Sequence, residues 1–193
     1  MKRLFLLCAL LMAALPASAE TKTAIFAGGC CWCIEADFEK LEGVIAVESG
    51  YTAGHLANPT YQQVSAGGTG HAEAVRVSYD AAKVSYDKLL DYFWRHIDPT
   101  VKDRQFCDAG SQYRSGIYFQ NQEEEKLARQ SLAVLEKSGR FARIHTEIEK
   151  AGTFYPAEDY HQDYYKKNPL RYHYYRTGCG RDARVKAVWG EAH

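Results

Sequence analysis

Residues 23–43 read TAIFAGGCCWCIEADFEKLEG, and the order of residue types in this stretch sets the kind of fold to expect. Residues 23–27 form a short apolar run of strand length, closed by Gly28 and Gly29. Ile34, Phe38 and Leu41 then recur at i, i+4 and i+7, which places them on one face of a helix, and Gly43 ends the run. Strand, glycine turn and helix meet at Cys30. A helix start presents unpaired N–H groups and partial positive charge, so a thiol there is expected to ionise more readily than a free cysteine. The glycine pair permits a tight turn and close approach of a substrate to the backbone.

Outward from this stretch the pattern repeats. Residues 44–51 read as a second strand and residues 74–79 as a third, with Val75, Val77 and Tyr79 on one side. Ser85 caps a predicted helix in which Leu89, Phe93 and Ile97 share a face, stopped at Asp98-Pro99. Residues 115–119 predict a strand, 122–138 an amphipathic helix closed by Gly139, and 144–149 a short last strand. Aromatic residues crowd into 155–175, where 160–167 predict a helical turn or two. Strands alternating with helices, without repeat or linker, predict one compact α+β domain over residues 20–193, with 170–193 as a C-terminal tail.

The first nineteen residues stand apart. Lys2 and Arg3, an apolar run over 4–15 and Ala17-Ser18-Ala19 have the layout of a secretory signal peptide, which predicts export to the periplasm or secretion. That run is too short to cross a bilayer, so no stable membrane insertion is expected after cleavage. Basic and acidic residues balance at 24 each without a basic block, which argues against a nucleic-acid partner. Residues 20–193 carry Cys30, Cys31, Cys33, Cys107 and Cys179. An odd set in an oxidising compartment cannot all be paired, so at least one thiol is expected to be reactive.

Six stretches of the sequence point one way. The run Gly28-Gly29-Cys30-Cys31-Trp32-Cys33 resembles the Gly-Cys-Phe-Trp signature of the A-type methionine sulfoxide reductases. Ser49-Gly50-Tyr51, Asn58-Pro59-Thr60-Tyr61, residues 69–75 (TGHAEAV) and Gln112-Tyr113-Arg114-Ser115 agree with that family in order and spacing, as does AEDYHQ at 157–162. The resemblance spans roughly residues 23–165. It implies a two-layer α+β sandwich on a ferredoxin-like mixed sheet, ending in an irregular C-terminal tail.

It also implies a chemistry. Cys30 would attack the sulfoxide sulfur. Glu73 would protonate the oxygen, a task for a carboxyl kept partly neutral by an apolar pocket. Tyr61 and Tyr113 would aim hydroxyls at that oxygen, and Asp108 would act as a second acid through water. His71 and His161 are expected to serve structural hydrogen bonds. Trp32 and the residue after the nucleophile form the methyl slot; here that residue is Cys31 rather than phenylalanine, which removes most of one wall.

The product is methionine and a sulfenic acid on Cys30. A second thiol must resolve it into an intramolecular disulfide. Cys179, flanked by glycines that would let a tail swing, is the first candidate; Cys33, at Cys-x-x-Cys spacing, and Cys107, beside Asp108, are the alternatives. The family needs no bound cofactor and no metal. It draws electrons from an external thiol reductant, thioredoxin-like or membrane-fed, and works on oxidised proteins and free methionine sulfoxide as a monomer. Two other readings of the cysteines are a thioredoxin-like disulfide oxidoreductase, which would share the Cys-x-x-Cys, and a zinc-binding interaction module, which would need two separated ligand pairs.

Overall fold

A computed structural model describes residues 20–190. The signal-peptide expectation for 1–19 lies outside the described residues. Strand β1 (Thr21–Gly28) is the centre of the architecture. It pairs antiparallel with β3 (Ala72–Asp80) on one side and β6 (Ser115–Phe119) on the other. Beyond β3 lie β2 (Val44–Thr52) and then β8 (Tyr155–Pro156); beyond β6 lies β7 (Glu147–Lys150), joined in parallel. The six-stranded mixed sheet therefore runs β7-β6-β1-β3-β2-β8.

The pleat divides β1 between two cores. Ala24 and Phe26 point to the face covered by α1 (Cys31–Phe38), α3 (Tyr86–Trp94) and α4 (Gln122–Lys137), where Phe26 stacks on Phe38 and Phe93 at centroid distances of 5.1 and 5.0 Å. Ile25 and Ala27 point to the other face, against Ala72, Ala74, Tyr118 and Phe154. Burial on both faces explains why this strand reads as a continuous apolar run rather than an alternating one. Ser85 caps α3 by accepting from the Lys88 N–H at 3.2 Å, as its sequence position predicts. Helix α1 stops at Phe38, so Leu41 packs on the core from the turn that follows.

Three elements escape the periodic pattern. Helix α2 (Tyr61–Ala66) starts with a capping box between Thr60 and Gln63. A two-stranded ribbon, β4 (Arg104–Gln105) with β5 (Asp108–Ala109), precedes a 3₁₀ turn at Ser111–Tyr113. The third is the tail, expected to be irregular and free to swing. After α5 (Tyr164–Lys167), which falls within the helical turn expected over 160–167, the tail forms α6 (Pro169–Gly178) and α7 (Arg181–Trp189).

Charge pairing rather than periodicity holds that tail. Arg181, 2% exposed, donates to the carbonyls of Gly28 (3.2 Å) and His96 (2.9 Å), stacks over Phe106, and faces the buried Asp37 at 3.5 Å. Arg176 pairs with the same carboxylate at 2.9 Å, Arg184 reaches Asp98 at 2.7 Å, and the Trp189 indole donates to Ile97. Gly178 lies inside α6 and only Gly180 adopts positive φ, so the flanking glycines give a corner between two helices and not a hinge. Removing one partner of a buried ion network leaves uncompensated charge. Arg181→Ala should therefore cost about 3–5 kcal/mol, read as a fall in the urea midpoint; Arg181→Lys, lacking the fork that spans both carbonyls, should recover only part of it. Among the described residues no helix is long and apolar enough to cross a membrane.

Candidate active site

The turn predicted around Cys30 forms because only glycine fits it. Gly29 has φ +85°, and a Cβ there would lie 2.6 Å from the Gln105 side chain. Cys30 follows as the N-cap of α1, its carbonyl accepting the first helical N–H groups, those of Cys33 and Ile34. Glu73 arrives from β3, directly beneath the helix start, and its Oε2 accepts the Cys31 backbone N–H at 3.1 Å. Tyr61 is fixed at the first position of α2, where its N–H donates to Glu158 at 2.9 Å; the other oxygen of Glu158 accepts from Tyr51. The β4–β5 ribbon brings Asp108, and the 3₁₀ turn brings Tyr113.

These residues meet. Cys30, Trp32, Tyr61, Glu73, Asp108 and Tyr113 line one cavity of about 250 Å³, together with Arg171 and Tyr175 of α6. Trp32 is held rigidly, stacked on Tyr164 at 3.7 Å with its indole N–H donated to His161 Nδ1 at 2.8 Å. His71 accepts from the Gly54 N–H and lies 2.7 Å from the Leu56 carbonyl. Both histidines thus serve hydrogen bonds within the protein, and neither lines the cavity.

Electrostatics distinguishes the groups. Glu73, 3% exposed, is raised to about 7 by burial, against the hydrogen bond from Cys31. Burial lifts Tyr61 to about 12 and keeps Tyr113 and Tyr175 protonated. Asp108 is also raised by burial, partly offset by the hydroxyl of Tyr175. Two expectations need correction. Cys30, expected to be an acidified thiol, is pushed well above its ordinary value by burial, with Cys33, Cys31 and Glu73 adding to the effect. The helix start contributes about 0.3–1 kcal/mol, whereas full burial shifts a group by up to about 3–5 pKa units; burial wins. Cys31, expected to border the methyl slot beside Trp32, does not line the cavity. Its side chain lies in the core, between Ser49 and Glu73, while its backbone holds the acid.

Cys107 and Cys179 form a disulfide, while Cys30, Cys31 and Cys33 are free and buried. The first-choice resolving thiol is therefore paired with one of its rivals. Sequence reasoning missed Tyr175 and Arg171 because the aromatic tract offered no period. Tyr175 precedes Cys179 by one helical turn, and that spacing was the available signal.

The family model for peptide methionine sulfoxide reductase matches residues 22–193. The chain belongs to the peptide methionine sulfoxide reductase family. A Caulobacter vibrioides peptide methionine sulfoxide reductase MsrA is 50% identical over 98% of this chain and 100% of its own length. The reduced form of Mxr1 from Saccharomyces cerevisiae has the same fold, with TM-score 0.72 and 33% identity over 83% of this chain and 91% of the yeast protein. Mxr1 in complex with Trx2 is similar at TM-score 0.52 and 25% identity, over 80% and 91% of the two chains. The chain is thus an A-type reductase of methionine sulfoxide, an oxidoreductase acting on sulfur. That settles the choice against the thioredoxin-like and zinc-binding alternatives.

Proposed function

We propose that Cys30 attacks the sulfur of a methionine S-sulfoxide while Glu73 delivers a proton to its oxygen, in an exported, periplasmic protein that repairs oxidised methionine. The observation that carries this reading is the meeting of Cys30 and a buried Glu73, poised at about 7, on one cavity with two protonated tyrosines. Near neutrality the Cys30–Glu73 pair holds one proton. Moving it to the carboxyl creates the thiolate and the acid together, without bringing net charge into the cavity. The thiolate then forms the S–S bond, the oxygen takes the proton, and Tyr61 and Tyr113 donate to it as charge develops. With a second proton the oxygen leaves the methionine sulfur as water, breaking that S–O bond. Water then attacks Cys30 Sγ; the S–S bond breaks, methionine leaves, and loss of a proton from the attacking water leaves Cys30 as the sulfenic acid.

Proteins and free methionine sulfoxide are both taken as substrates, and the cycle uses no bound cofactor. A thioredoxin-type thiol supplies the electrons, a proposal supported by the Trx2 complex of the yeast relative. Assay of the separated S and R sulfoxides with a dithiol reductant is expected to show turnover of S and none of R; equal rates would refute the stereochemical assignment. Export predicts a periplasmic protein whose first residue is Glu20, read by N-terminal sequencing.

A further inference from the structure

Residues 170–193 carry Arg171, Arg176, Arg181 and Arg184, and three of these arginines are engaged by acids. Arg176 and Arg181 pair with Asp37, Arg176 also with Asp182, and Arg184 with Asp98. Arg171 is the exception. Its side chain makes no ion pair, hydrogen bond or ring contact with any described residue. Its own helix gives it no partner either. Arg171 lies in the first turn of α6, where the helix dipole disfavours a cation. The neighbours at three and four positions on either side, Lys167, Asn168, Tyr174 and Tyr175, include no acid.

The reaction cavity supplies a reason for it. Arg171 is the only arginine or lysine among the described residues that line that cavity, and the only lining residue that is exposed, so its guanidinium stands at the rim. The acids of the same wall do not hold it. Glu73 is bound to the Cys31 N–H, and Asp108 accepts from Tyr175. A substrate whose sulfur meets Cys30 therefore passes an uncommitted cation on its way in.

We propose that Arg171 is a specificity-determining residue that binds a carboxylate of the substrate outside the sulfoxide group. The carboxylate is the α-carboxylate of free or C-terminal methionine sulfoxide, four bonds from its sulfur, or the side chain of an acidic residue beside the oxidised methionine in a polypeptide. The proposal rests on Cys30 and Glu73 doing the chemistry in this cavity. The planar fork of a guanidinium matches a carboxylate through two parallel N–H donors, which a lysine cannot reproduce. No proton or electron passes through Arg171, so the reaction steps are untouched. Its exposure leaves the pair open to screening by salt, and the effect falls on KM.

The test is steady-state kinetics of the full chain with saturating dithiothreitol on two matched pairs of S sulfoxides. One pair is N-acetylmethionine sulfoxide and its neutral N-methylamide. The other is a pair of end-blocked peptides in which oxidised methionine is followed by glutamate or by glutamine. In Arg171→Gln, KM for the charged member of a pair should rise about three- to tenfold relative to its neutral partner. Arg171→Glu should widen that gap, Arg171→Lys should recover part of it, and about 0.5 M salt should shrink it in the wild type. Arg171→Gln should unfold at the wild-type temperature, because the residue is exposed and unpartnered. A shift confined to the first pair assigns the site to an α-carboxylate, and one confined to the second assigns it to an acidic neighbour. Equal changes for charged and neutral substrates, or no change in either pair, would overturn the proposal. A wild-type protein that reduces none of the four sulfoxides would instead sink the assignment of the reaction itself.

Discussion

Cys30→Ser should release no measurable methionine from methionine sulfoxide, a loss on the order of 10⁶ in turnover when a nucleophile that works in concert with its partners is removed. The alkoxide of serine is far too costly at neutral pH, and Glu73, at about 7, is too weak a base to generate it. The variant should remain folded. Cys30 is the N-cap of α1 and makes no side-chain capping bond there, and serine is a better cap than cysteine. Thermal unfolding at or above the wild-type temperature would establish an intact scaffold, and multiple turnover by such a protein would remove Cys30 from the mechanism.

Glu73→Gln should slow the chemical step by about 10²–10⁴, the range for a lost general acid. Glutamine keeps an oxygen for the Cys31 N–H, so the helix start stays seated and the effect falls on proton delivery. The pH profile gives the sharper test. In the wild type the working state has one proton on the Cys30–Glu73 pair. Below about 7 both groups are protonated and kcat/KM falls; it falls again at the alkaline pH where the raised Cys30 thiol ionises. Glu73→Gln should lose the limb near 7 and rise towards the alkaline thiol pKa. Because Cys33 also titrates near 7, Cys33→Ser is the control, and it should keep that limb. An unaltered profile in Glu73→Gln would assign the proton to another group.

The parts of this molecule that are local in sequence were the legible parts. Strand, glycine turn, cysteine and helix follow one another within residues 21–38, and the structure builds them in that order. The Thr60–Gln63 capping box was also on the page as a T-x-x-Q, but the six-residue helix it opens is too short to show a period. The tail failed for a different reason. Helix α6 has no buried residue, and α7 buries only Arg181, Val185 and Val188, so neither carries an apolar stripe. Their helicity depends on arginines meeting Asp37 and Asp98 from distant parts of the chain. At the site, the position of Cys30 at a helix start was legible locally, and the family resemblance singled out Glu73, Tyr61, Tyr113 and Asp108; all five line one cavity. Identity did not announce their titration, because burial is a property of the assembled fold. For the same reason Cys31 seemed to belong to the slot until its side chain was found in the core.

The Arg181 anchor has a bearing on biosynthesis. Its contact with the Gly28 carbonyl spans 153 positions of sequence, so the floor beneath the catalytic helix is laid only once α7 has been made. A nascent or truncated chain ending before α7 would possess every group the reaction needs and yet lack the support under them. Competence is thereby withheld until α7 has emerged and docked beneath the catalytic helix.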